Sequence, residues 1–216
     1  MNIEKIKNYL YYNWIKIFAC VFIVVFIALT LMQCSQRKEV DLGIMYVGKN
    51  VVSQNLPALA EEIKNTGIAS DADGDGEIII GTKAITIPLS KEYMIEQQVP
   101  EQIQVEIISG ETLFYILEKE TLISYAVDES FADVTEIAQK YNINKETCLA
   151  YENGSIYAIP ADENPIFKNM KIETKGMYFA LRGYNEKDKN SIKNQNARKL
   201  LDYILEGENA NETQSK

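Results

Sequence analysis

Along this chain the hydrophobic pattern changes character once. Ile17 to Met32 reads IFACVFIVVFIALTLM, a run whose only polar member is Thr30. Extended to Trp14 and Cys34 it covers 21 residues, with Lys16 as its one charge. At about 1.5 Å per residue, a helix of that length matches a hydrocarbon core of about 30 Å. Lys16 lies near one end, where its ammonium can reach the headgroups. Tyr11, Tyr12 and Trp14 supply the aromatic belt expected at an interface. The pattern predicts a transmembrane helix over 14–34, preceded by a short N-terminus (1–13) and followed by a juxtamembrane linker (35–40). A cleaved signal peptide has a shorter apolar core and a small-x-small site, which ALTLMQCSQ does not offer. A lipoprotein signal wants a small residue before its cysteine, and Cys34 is preceded by Gln33.

Beyond Asp41 the periods become those of a folded domain. Leu42 to Val47 reads as a buried strand closed by Gly48. Leu56, Leu59, Ala60 and Ile63 recur at helical spacing, with Pro57 in the first turn and Gly67 as the C-terminal cap. After an Asp- and Gly-rich loop, Glu77 to Pro88 reads as a strand with Gly81 at a bend or bulge. Residues 90–109 admit two readings. Pro100 could open a helix, while Ile103, Val105 and Ile107 alternate as in a strand. Thr112 to Glu118 is a strand and 119–129 is helical. Phe131, Val134, Ile137 and Ala138 mark a further short helix. Asn153-Gly154 predicts a hairpin over 149–161. Met177 to Tyr184 is the last strand, and Ile192, Ala197, Leu200, Leu201 and Ile204 form one apolar face of a closing helix. Residues 207–216 are polar and are expected to be disordered. Strands alternating with helices predict an α/β domain over 41–206, a mixed sheet with flanking helices.

This order of elements resembles one lobe of the type 2 extracellular solute-binding proteins. The turn and strand Ser109-Gly110-Glu111-Thr112-Leu113-Phe114-Tyr115-Ile116-Leu117 match a Gly-Glu turn feeding an apolar strand. Tyr178-Phe179-Ala180-Leu181-Arg182-Gly183 fits the return of the chain. Tyr11-Tyr12-Asn13-Trp14 ahead of a membrane helix is similar to small membrane-anchored proteins of Gram-positive bacteria that carry such a lobe. The resemblance implies a contracted solute-binding-protein-like domain, and with it a small solute as a possible partner in a transporter or sensor. It carries over no ligand residue.

Charge narrows the partners. The chain is −9 overall and residues 1–40 are +3, leaving −12 beyond them. Such an excess of carboxylates opposes phosphate backbones, so nucleic acid is not an expected partner. Lys5, Lys7, Lys16 and the terminal amine precede the helix, against Arg37 and Lys38 after it. That bias predicts a cytoplasmic N-terminus and an extracytoplasmic domain on the cell membrane. The chain has no histidine, and Cys148 is the one cysteine far from the apolar run. His-based triads, the commonest general base and Cys-rich zinc sites are thereby removed.

One motif carries specific chemistry. Asp71-Ala72-Asp73-Gly74-Asp75-Gly76-Glu77 matches the opening of an EF-hand-type calcium loop: Asp71, Asp73 and Asp75 aim oxygens inward, Gly76 allows the turn, and Glu77 offers its carbonyl. The twelfth position is Thr82 rather than a bidentate acid, and a strand follows in place of a helix. A structural calcium ion here needs its last carboxylate from elsewhere in the fold. Without an ion, the same residues make a solvated turn. The expected function is a non-enzymatic interaction, sensor or assembly domain with a protein partner in the envelope. The alternative is a small-solute-binding domain.

Overall fold

A computed structural model describes residues 3–35, 38–49, 54–88, 98–109, 111–126, 130–162, 164–184 and 188–214. The chain divides into two compact units, 1–39 and 40–216.

The first unit is a single helix, α1, Ile3–Ser35. It begins well before Trp14 because nothing in IEKIKNYLYYN breaks a helix. Within it, Tyr11–Thr30 has a mean hydropathy of 2.2 and none of that span is buried. Phe18, Phe22 and Phe26 are among the exposed large side chains. The hydroxyl of Thr30 donates to the Phe26 carbonyl at 2.8 Å, so the one polar group of the run is satisfied within the helix, as an apolar solvent requires. This helix is long and apolar enough to cross a membrane.

The second unit is a six-stranded mixed sheet with helices on both faces. Its elements are β1 (Leu42–Gly48), α2 (Leu56–Thr66), β2 (Ile80–Thr86), α3 (Val99–Ser109), β3 (Phe114–Glu118), α4 (Lys119–Tyr125), α5 (Thr135–Lys140), β4 (Leu149–Ala150), β5 (Ile156–Pro160), α6 (Pro165–Asn169), β6 (Met177–Leu181) and α7 (Ile192–Gln214). The strand order is β2-β1-β3-β6-β5-β4. β1 pairs in parallel with β2 and β3, and β6 returns antiparallel between β3 and β5. β1 and β3 are buried on both faces, which explains their unbroken apolar runs. Leu42, Ile44 and Tyr46 pack with residues of α2, α5, α6 and α7 in one layer; Met45 and Val47 pack with α3 and α4 in the other. Phe179 lies between Phe114 and Phe167, at ring distances of 5.6 and 5.3 Å.

Several local expectations hold. Pro57 sits in the first turn of α2, and Gly67 ends it at φ +69° with its N–H donating to the Lys64 carbonyl. Asn153-Gly154 turns the β4–β5 hairpin, with Gly154 at φ +86°.

One open reading is decided and other expectations are corrected. Val99 to Ser109 is helix, because burying Val99, Ile103 and Ile107 at four-residue spacing leaves Val105 outside, which no strand would do. Residues 89–97 and Gly110 lie outside the described residues. Gly81 makes no bulge: it pairs in register with Gly43, and a Cβ there would meet the Val40 side chain at 2.9 Å. Close approach, not bending, is its role. Phe131 is no helix residue but bridges to Arg182. β6 ends at Leu181, short of Tyr184. Ile192 is largely exposed, and Asn196 takes a place on the buried face of α7. α7 also continues to Gln214, through the tail expected to be disordered.

Candidate functional site

Two polar constellations meet at the end of the sheet where β1 and β3 begin, and α7 contributes to both.

In the first, the Asp-Gly loop folds back on its own carboxylates. Asp71 accepts the Gly74 N–H at 2.6 Å through Oδ1 and the Gly76 N–H at 2.7 Å through Oδ2. These two bonds, that from Gly76 first, hold its carboxyl below the ordinary value of 3.8. Asp73 accepts the Asp75 N–H at 3.0 Å, and Asp75 the Glu77 N–H at 2.7 Å. Gly74 and Gly76 lie at φ +79° and +85°, a conformation only glycine adopts without strain. The acid that sequence spacing could not identify is Asp41, at the mouth of β1. It is buried, and its two oxygens accept the Ala72 N–H at 2.6 Å and the Ile79 N–H at 2.7 Å. One carboxylate thus clamps both stems of the loop.

Asp41, Asp71 and Asp73 each bring an oxygen to within 4.8 Å of the others. Of the expected ligands Asp71, Asp73, Asp75 and Glu77, the carboxylates of the first two share that group with Asp41, while Asp75 accepts the N–H of Glu77, the residue expected to offer its backbone carbonyl. Three hard oxygens suit a calcium ion by type. Five of the six carboxylate oxygens of Asp41, Asp71 and Asp73 already accept a backbone N–H, which is how the loop closes unaided.

Asn196 of α7 locks the same region. Fully buried, it accepts the Ser70 N–H at 2.9 Å and donates to the Ser70 carbonyl at 2.7 Å and the Asp41 carbonyl at 3.2 Å. Sequence reasoning missed it. The visible trace was an asparagine four residues from both Ile192 and Leu200, on a face otherwise read as apolar.

The second constellation is an open cleft of about 370 Å³, within the size range of small-molecule sites. Its wall is built by the turn after β6, where Gly183 N–H donates to the Ser130 carbonyl at 2.8 Å, and by the start of α5, where Val134 N–H donates to the Ile156 carbonyl. Tyr151 spans this wall, its hydroxyl donating to the Phe131 carbonyl and accepting the Phe131 N–H, both at 3.0 Å. Arg198, two residues along α7 from Asn196, lines the cleft with Lys189, Tyr184, Asp133 and Glu136. Its Nη2 donates to the Tyr184 hydroxyl and, at 3.5 Å, to the Asp133 carbonyl. The guanidinium carbon stands 5.5 Å from the Tyr184 ring centroid, a cation–π distance. Among the described residues no carboxylate pairs with it, and its buried Nε has no hydrogen-bond partner.

Elsewhere the polar groups close on one another. At the opposite end of the sheet, β2 and β3 diverge from β1, the crevice where open α/β sheets commonly hold ligands. There Glu118 accepts the Lys49 N–H at 3.0 Å and pairs with its ammonium at 3.1 Å, which raises the lysine pKa. Buried Glu106 pairs with Lys83 and accepts the Thr112 hydroxyl at 3.0 Å. Cys148 donates to the Asn144 carbonyl at 3.4 Å, and burial pushes its thiol pKa up, away from nucleophilic thiolate. Ser155 bonds the Asn153 side chain.

No protein-family model matches the chain, and no curated protein is significantly similar to it.

Proposed function

We propose that this chain is a membrane-tethered, non-enzymatic domain that acts by contacting a protein partner in the envelope, as a sensor or assembly subunit. α1 is the tether, the N-terminus is cytoplasmic and the domain is extracytoplasmic. The observation that carries this reading is the helix itself, an unburied 20-residue apolar span that needs an apolar solvent. The basic bias ahead of it supports the orientation. Val105 and Ile108, one turn apart on the outer face of α3, are 60% and 67% exposed and offer apolar surface to a partner. The return of β6 beside β3 supports the further proposal that the domain is a contracted solute-binding-protein-like lobe.

A photo-crosslinking amino acid placed at Val105 or at exposed Lys64, in intact cells, tests this. A discrete adduct from Val105 but not Lys64, in the membrane fraction and removed by external protease, is expected. A wholly soluble product, or the same adducts from both positions, would overturn it.

A second reading, a small-solute-binding domain serving a transporter or sensor, is favoured by the Arg198 cleft. Calcium belongs to the proposal only as a structural addition: Asp41, Asp71 and Asp73 would brace the start of β1 against the loop. It would strengthen a turn that backbone hydrogen bonds already close.

A further inference from the structure

The two edges of the sheet are built differently. At one edge, β4 is two residues long and its register shifts between Leu149 and Ala150. So short and irregular an edge gives an incoming chain little to pair with. At the other edge, β2 runs seven residues, Ile80–Thr86, and stays in register with β1 throughout. Leu42 N–H donates to the Ile79 carbonyl at 3.4 Å, and Ile87 N–H to the Gly48 carbonyl at 2.8 Å. Odd-numbered residues of this stretch therefore face β1, while Ile80, Thr82, Ala84 and Thr86 turn their N–H and C=O groups outward. Among the described residues, nothing pairs with those outward groups. The strand holds no proline and no bulge. Its one cation, Lys83, is of the kind that wards off a second strand at an edge, but its ammonium pairs with Glu106 of α3 instead.

We propose that the free edge of β2 receives an extended, cationic segment of a partner protein, which joins the sheet as a further strand. The inference rests on the reading that the domain contacts a protein, and it is independent of the surface on α3. Main-chain hydrogen bonds to Ile80, Thr82, Ala84 and Thr86 would supply the attachment, and alternate side chains the selectivity. Ile80 and Ala84 pack against the apolar layer that contains α2, so the residues of the segment on that face are apolar. The opposite face lies beside Gly81, which adds no side chain, and suits polar residues. The charge of the segment follows from its surroundings. Asp73, Asp75 and Glu77 stand exposed just ahead of β2, so lysine or arginine at the end of the segment next to Ile80 meets opposite charge. The same electrostatics oppose a second copy as the occupant, because residues 41–216 carry −12 in each chain.

The test uses the full chain in detergent micelles and fluorescent peptides of about ten residues, long enough for one strand. The probe alternates valine and threonine and ends in lysines. One comparison peptide ends in glutamates instead, and another carries a central proline. Anisotropy is expected to show saturable binding of the lysine peptide below about 1 mM, with both comparisons weaker by about tenfold or more. On binding, hydrogen exchange at the outward amides of Thr82 and Ala84 should slow by about tenfold or more. Thr82→Pro removes an outward N–H and leaves the ladder to β1 intact, so it should weaken binding by about tenfold or more, whereas Thr82→Val should not. Equal binding of the glutamate peptide overturns the cationic partner. Binding that leaves the two amides fast, or that survives Thr82→Pro unchanged, overturns the edge. Amides already slow in the chain alone overturn it too, and slowing that fades on dilution would name a second copy as the occupant. No binding of any peptide overturns the inference, while an adduct at Val105 would still carry the reading of a protein partner.

Discussion

The two polar constellations at one end of the sheet differ in where their charges are answered. Around Asp41 every carboxylate oxygen with a short contact meets a backbone N–H of the loop it holds. Around Arg198 the guanidinium meets a phenol and a carbonyl and, among the described residues, no opposite charge. The same helix serves both, through Asn196 and Arg198, so the contrast is not one of place. The acids, which the sequence advertises as a site, have structural work to do. The cleft, which no sequence spacing announces, joins residues far apart in the chain.

Stability should therefore separate the two. Asp41→Ala removes the acceptor of two backbone donors in a buried setting, at about 1–3 kcal/mol each, so a loss of about 2–6 kcal/mol is expected in chemical denaturation. Asn196→Leu, which leaves the Ser70 N–H and the Ser70 and Asp41 carbonyls unanswered, should cost a comparable amount, about 3 kcal/mol or more. Arg198→Gln should cost about 1 kcal/mol or less, because its contacts are few and half in solvent. Equal losses from Asp41→Ala and Arg198→Gln would erase the distinction.

Acid should weaken the loop. The Asp71 carboxyl sits below its unfolded value, so its contribution is fully present above that value and is lost as pH falls through the folded one. Unfolding followed below about pH 4 should show a shallower decline for Asp71→Asn than for the unaltered chain. Parallel curves would show that the two N–H bonds do not outlast solvent competition.

Calcium is expected to add only a small increment. An ion held at about 1 mM affinity, at tenfold excess, stabilises by about 1.4 kcal/mol. For a domain of this size that is a rise in melting temperature of about 3–6 °C. Asp73→Ala should abolish the shift while leaving the Asp41 and Asp71 clamps intact. Melting curves in chelator and in millimolar calcium decide it, and coincident curves would leave the loop a hydrogen-bonded turn.

What the sequence by itself determined were features decided within a few residues. The apolar span of α1 follows from composition and length, because each residue adds its own transfer free energy. The α2 boundaries, with Pro57 and Gly67, and the Asn153-Gly154 hairpin follow from backbone preferences that act locally. The α/β class and the mixed sheet were legible for the same reason, in alternating periods. The tertiary structure decided whatever depended on residues far apart in the chain. Residues 99–109 became helix because the sheet face offered burial to Val99, Ile103 and Ile107 together. Gly81 was set by how closely Val40 approaches it in space, not by its neighbours in sequence. The Asp loop was half read: Asp71 and Asp73 were visible, but the buried acid that completes the clamp lies 31 positions from Ala72, its hydrogen-bond partner. Arg198 meets the Asp133 carbonyl across 65 positions. A contact across that distance leaves no mark on a sequence rich in carboxylates, and only the folded chain shows that Arg198 meets a carbonyl and a phenol rather than an acid among the described residues.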